Sequence, residues 1–149
     1  SHSQQWVVCA NHHLPVGIDI ECIKPISMDL AKRFFSSEEY EALLRKEGPE
    51  QLAYFYMLWT IKESYAKARG KGLVLPFKSF LINTENNIII DLKSEVKDFF
   101  FKVYNIEQAY QLAVSAYLNE FPQTIQIAKI SDLLNCKESG FNRFPFVKR

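Results

Sequence analysis

A chain of 149 residues is one domain by length, long enough to bury roughly two thirds of the surface its unfolded form exposes. Hydrophobic residues make up 48% and aromatic residues 14%, which excludes intrinsic disorder. Eighteen basic residues against 17 acidic leave a net charge of +1, so no bulk field draws in nucleic acid or an anionic membrane. Any charged partner must meet a local patch.

In chain order, Gln4 to Ala10 carries Trp6, Val7 and Val8 and reads as a strand, followed by a polar turn at Asn11-His12-His13 and Pro15. Val16 to Glu21 reads as a second strand and as its hairpin partner, stopped by Pro25. Ser27 is placed to cap a short helix through Phe35, and Ser36 or Ser37 to cap another from Glu38 to Lys46, ended by Gly48. Pro49 suits the first turn of a long helix running to Arg69, with Gly70 at its C-terminal end. Beyond Gly72 the pattern turns β-rich. Phe77 to Ile82, Ile88 to Leu92, Phe99 to Tyr104 and Gln111 to Leu118 read as short strands separated by turn residues. Thr124 to Ile130 reads as a further strand or an extended tail, and no element is assigned from Lys137 onward. Helices and mostly antiparallel strands in blocks predict an α+β fold.

Cys9, Cys22 and Cys136 are an odd number without the paired spacing of a zinc site. Cys9 and Cys136 sit among apolar neighbours and are expected as buried thiols. Without a disulfide framework, the expected compartment is the reducing cytoplasm. No apolar run approaches the roughly twenty residues of a membrane span, and the first residues do not read as a signal peptide.

The chemistry is carried by two segments. In Gly17-Ile18-Asp19-Ile20-Glu21 the strand period of two puts both carboxylates on one face and both isoleucines on the other. An ordinary wet strand face accommodates such a pair. Two like charges side by side are also what a magnesium ion uses, since it is commonly held by one or two carboxylates with phosphate and water completing its shell. In the long helix, Trp59, Glu63 and Lys67 are spaced i, i+4, i+8 along one stripe, with Phe55 a turn earlier. Glu63 and Lys67 have the spacing of a surface salt bridge, yet their stripe is aromatic. Lys62 lies about 100° round and either faces the same cleft edge or snorkels to water. Carboxylates inside hydrophobic elements invite a hard cation, and lysines beside them a phosphate. His2 stands between Ser1 and Ser3, where a solvated terminus is the plain reading; His12 and His13 lack metal-ligand spacing.

Ser1-His2-Ser3, then Gly17 to Glu21, then Trp59 to Lys67 followed by Gly70-Lys71-Gly72-Leu73, resembles in order and spacing the 4′-phosphopantetheinyl transferases. The Ser-His-Ser block upstream favours the surfactin-synthetase-activating type over the small trimeric acyl-carrier-protein synthases. The likeness runs from Ser1 to about Tyr117 and includes Lys24-Pro25-Ile26 and Arg33-Phe34-Phe35-Ser36, while Ile23 stands where some relatives carry a hydroxyl residue. What the resemblance implies is magnesium-dependent transfer of the phosphopantetheine arm of coenzyme A to a serine of a peptidyl or acyl carrier protein, releasing 3′,5′-ADP. It implies magnesium ligands at Asp19, Glu21 and Glu63, coenzyme A phosphate contacts at Lys67 and at Ser1 with His2, base work at Glu63, and a supporting catalytic role for Lys62.

The family architecture is longer, two similar halves about a pseudo-twofold axis with coenzyme A in the cleft between them. The chain therefore reads as the C-terminal half, with residues 1–120 as the transferase domain and 121–149 as an extension. The missing N-terminal half is a further expected partner. The alternatives are a half-domain that binds carrier proteins without catalysis, through Lys32, Arg33, Phe34 and Phe35, and one that self-associates through an exposed interface.

Overall fold

A 21-residue helix, α3 (Gly48–Ala68), is the element against which the other layers pack. The structure, a computed structural model, describes residues 1–91, 99–129 and 146–148. Pro49 sits in the first turn of α3, where its missing N–H costs nothing. At the other end Gly70 takes φ +63°. Its N–H reaches the Lys67 carbonyl at 2.9 Å and the Lys71 N–H reaches the Ala66 carbonyl at 3.2 Å, a Schellman closure that uses the glycine's tolerance of the left-handed region. The helix is buried on several sides because helices cover one flank and a sheet the other.

The shorter helices are α1 (Met28–Phe34) and α2 (Ser37–Leu44). Ser27 caps α1 by accepting from the Asp29 N–H, and Ser36 and Glu39 form a reciprocal capping box on α2. Ala31 and Leu43 from this pair, with Phe35 at the C-terminal cap of α1, pack on Phe55, Tyr56 and Leu58 of α3.

The strands are β1 (His2–Ser3), β2 (Trp6–Val7), β3 (Val16–Cys22), β4 (Phe80–Asn83), β5 (Ile88–Asp91), β6 (Phe99–Tyr104), β7 (Tyr110–Ala116), β8 (Ile127–Lys129) and β9 (Phe146–Lys148). Five of them form an antiparallel sheet in the order β3-β7-β6-β5-β4. One face of this sheet meets Ile61, Tyr65 and Ala66 of α3 through Phe80, Ile89, Phe99, Phe101 and Ala113. Ile18, Ile20, Leu112 and Val114 on the other face pack under Trp6 and Val8. A second sheet runs β1-β2-β9-β8, with β8 and β9 parallel.

The α+β class and the helix on an antiparallel sheet are as the sequence predicts. Four expectations are corrected. β3 is not the hairpin partner of the first strand: it pairs along its whole length with β7, from Val16 against Ala116 to Cys22 against Tyr110. The backbone groups of β2 go instead to β1 and β9, since the chain turns back at Gln4, which takes φ +49°. Phe77 to Ser79 is a 3₁₀ turn before β4 begins. The C-terminal stretch, where the sequence predicts no element, supplies β9 at Phe146–Lys148. Cys9 is exposed rather than buried, and Cys136 lies outside the described residues. Among the described residues, no helix is long and apolar enough to cross a membrane.

Candidate active site

Gly17 allows β3 and α3 to close on one another. A Cβ there would lie 2.0 Å from the Ser64 carbonyl oxygen and 2.5 Å from the Ala68 nitrogen, so helix backbone rests directly on strand backbone. The Ser64 and Ser115 hydroxyls, facing each other beside this contact, share a hydrogen bond of 2.7 Å. The strand period of two then turns Asp19 and Glu21 toward α3, the face Gly17 occupies.

Asp19 is only 3% exposed, so the strand face that could have been wet is roofed by the helix. Its Oδ1 accepts from the Lys67 Nζ at 2.6 Å and from the Ser1 hydroxyl at 2.9 Å. Its Oδ2 is buried and has no hydrogen-bond partner among the described residues. Lys67 thus spends its charge on the strand rather than on Glu63, the partner four residues before it. Its Nζ also donates to the Ser1 hydroxyl at 3.2 Å and to the Ile18 carbonyl at 3.3 Å. That carbonyl lies on β3, which ends the sheet, and farther along the strand the Cys22 N–H is taken by the Ser3 hydroxyl at 3.0 Å, so the edge is covered.

Glu21 and Glu63 are partly buried, and neither has a side-chain hydrogen bond or ion pair among the described residues. Burial pushes the carboxyls of Asp19, Glu21 and Glu63 above their ordinary values. The Asp19 charge adds to the push on the two glutamates, and Lys67 pulls against it. The three acids therefore stand close enough to repel one another in a poorly solvated seam.

That donor set suits a hard divalent cation, and the buried, unpartnered oxygen of Asp19 is the observation that fits one. Among the described residues, no group of three or more histidine, cysteine or acidic side chains is close enough to hold a metal unaided. Magnesium asks for less, one or two carboxylates with water and phosphate completing the shell.

Ser1, Asp19 and Lys67 are in contact, and Glu21 and Glu63 face the same seam. His2 is exposed on β1 with no side-chain hydrogen bond among the described residues. Lys62 points elsewhere and does neither of the things its sequence position suggests. It is 0% exposed, ion-paired to Glu39 at 2.9 Å, and donates to the carbonyls of Phe77 at 2.8 Å and Phe80 at 3.1 Å. Its partner Glu39 escaped the sequence reading. The Ser36-x-x-Glu39 spacing signals the capping box, but nothing local signals a pairing 23 positions away on another helix. Trp59 belongs to an aromatic cluster, 5.4 Å edge-on to Phe34 and 5.8 Å stacked on Phe55, and so anchors the helix upstream of Glu63. Phe35 is core, whereas Lys32 and Arg33 are exposed.

Residues 15–115 match the family described as the 4′-phosphopantetheinyl transferase superfamily. The chain belongs to that superfamily. It is 44% identical over 136 residues to the 4′-phosphopantetheinyl transferase Sfp of Bacillus subtilis, covering 90% of this chain and 61% of that protein. The ffp transferase of Bacillus subtilis is 42% identical over the same shares, 90% and 61%. The chain thus spans about three fifths of the length of these curated relatives. A solved holo-(acyl-carrier-protein) synthase from Bacillus anthracis, in complex with CoA (3′,5′-ADP), shares the fold at a TM-score of 0.58 and 20% identity, over 68% of this chain and 93% of that one.

Proposed function

We propose that the β3–α3 seam transfers the 4′-phosphopantetheine arm of coenzyme A to a serine of a peptidyl or acyl carrier protein, with magnesium as the resident cation. The observation that carries this reading is Asp19, a nearly fully buried carboxylate that holds Lys67 on one oxygen and leaves the other unpartnered. The names of the relatives support the reaction class.

Asp19, Glu21 and Glu63 are the acids from which magnesium would take its one or two carboxylates, and when bound it would offset negative charge on the pyrophosphate and its leaving group. Lys67, with an exposed flank, would bind a phosphate oxygen, with Ser1 beside it and His2 as a further phosphate contact that the family resemblance implies. The carrier serine oxygen attacks the phosphorus that bears the pantetheine arm. Its bond to the rest of the pyrophosphate breaks, and the electron pair leaves with 3′,5′-ADP. The hydroxyl proton goes to Glu63, directly or through water. Burial of the seam keeps competing water away from the reacting groups.

Glu63→Gln keeps the shape and removes the charge. It is expected to cut 3′,5′-ADP release in the presence of coenzyme A, magnesium and an apo carrier protein by about 10²- to 10⁴-fold, with an unchanged melting temperature. Unchanged release by this variant contradicts the proposal.

A further inference from the structure

Two cations have a claim on one carboxylate. Asp19 Oδ1 is already shared by the Lys67 ammonium at 2.6 Å and the Ser1 hydroxyl at 2.9 Å, and Oδ2 is sealed from solvent. A magnesium ion on either oxygen of Asp19 would stand beside that ammonium, and two cations so close in a poorly solvated seam repel one another. The only part of the Asp19–Lys67 pair that faces outward is Lys67 itself, whose side chain is 38% exposed against 5% for Asp19. Lys67 therefore covers the side of the pair that faces solvent, and a cation at Asp19 meets its charge.

We propose that Lys67 is a tethered stand-in for the divalent cation: it neutralises Asp19 until a phosphate draws the ammonium away, and only then does the carboxylate accept a metal. This rests on the magnesium reading above and adds to it a specific order of events. The three groups that hold Lys67 are all oxygens, from Asp19, Ser1 and Ile18. Phosphate oxygens can replace every one of those bonds, so the exchange leaves no donor unsatisfied. The cation arriving with the pyrophosphate then takes over the charge compensation that the ammonium gave up. Neither half of the exchange is favourable alone, because phosphate binding strips a buried carboxylate of its counter-ion and metal binding expels a lysine with nowhere to go. Together they are coupled. The device makes the seam selective for a metal–diphosphate unit over either free ion, which is the form in which a pyrophosphate ester exists beside magnesium.

Glu21 and Glu63 do not substitute for Asp19 in this exchange. Both face the seam, but neither holds an ion pair among the described residues, so each is available to a cation without displacing anything. They are the reason that some affinity for metal remains while Lys67 is in place.

The test uses the chain as it stands and Mn²⁺ as the probe, with free metal counted by electron paramagnetic resonance and no nucleotide present. Lys67→Met, which removes the ammonium and keeps the length, is expected to bind Mn²⁺ roughly tenfold or more tightly than the parent. Lys67→Arg is expected to stay as weak as the parent, and adding Asp19→Asn to Lys67→Met is expected to abolish the gain. Lys67→Gln, which still donates to Oδ1 without charge, serves where Lys67→Met does not fold. A rise in melting temperature with Mn²⁺ that is larger for the uncharged variants than for the parent gives an independent readout. Equal affinity of the parent and both uncharged variants, with loss on Asp19→Asn, overturns the exchange and leaves the metal reading intact. Binding insensitive to Asp19→Asn, or no binding to any variant, overturns both.

Discussion

Lys62 and Lys67 lie five positions apart on one helix and meet opposite fates. Lys67 is half out of the seam and surrounded by exchangeable oxygens. Lys62 is enclosed, with the Phe80 ring 4.4 Å from its ammonium and all three of its donors taken. Burial pulls its pKa down and Glu39 pushes it back up. Glu39 also accepts from the N–H groups of Ser36 at 2.9 Å and Ile82 at 3.2 Å, so a single carboxylate joins α2, α3 and β4. Removing one partner of such a pair leaves a buried charge unpaired. Lys62→Met is expected to destabilise the chain by about 3–5 kcal/mol in urea denaturation. The double variant with Glu39→Gln is expected to lose at least about 1 kcal/mol less than the two single losses added together. Strict additivity contradicts the pairing. The sequence pointed to Lys62 through its place beside Glu63, but adjacency on a helix means a turn of about 100°, and here that turn leads into the core.

At the scale of elements, the site depends on how closely β3 and α3 approach. Gly17→Ala places a methyl group into helix backbone, and relief requires α3 to move. The expected cost is about 3 kcal/mol or more, with loss of Mn²⁺ affinity in whatever folded fraction remains. A variant of parental stability and affinity would show that the contact is looser than drawn. On the far side, α3 is tied to β5 by Tyr65, whose hydroxyl donates to Asp91 at 2.8 Å and accepts from Arg69 at 2.8 Å. Burial, then the bond to Asp91 and its charge, push this phenol from 10.0 to about 12, with Arg69 opposing. A group whose folded pKa is raised stabilises fully below its unfolded value and loses that contribution as pH rises through the folded one. The chain is therefore expected to lose stability from pH 10.0 toward about 12, and Tyr65→Phe to lose less over that window. Parallel falls in melting temperature contradict this assignment. Helix ends were legible because Ser27, Ser36, Pro49 and Gly70 act locally. The pairing of β3 was not, since its partner lies about a hundred residues away and a strand's period gives its faces but not its neighbour.

At the scale of the whole molecule, the order of motifs read from the sequence corresponds to elements that meet in space. The first residues lie over β3, β3 lies under α3, and Ser1, Asp19 and Lys67 close into one cluster. What could not be read was depth. Asp19 looked like one acid on a strand face, and only the packing of α3 makes it a nearly sealed carboxylate with one oxygen unpartnered. The C-terminal stretch also contributes more than its sequence suggested, because β9 joins the N-terminal hairpin to β8. The chain spans about three fifths of its curated relatives, and the seam described here lies within the residues that match the family.

The most direct measurement is the intact mass of an apo carrier protein incubated with this chain, coenzyme A and magnesium. The expected result is a gain of one phosphopantetheine arm that disappears with EDTA and with Glu63→Gln. A carrier that stays at its apo mass, or a gain that survives both treatments, contradicts a metal-assisted transfer at the β3–α3 seam.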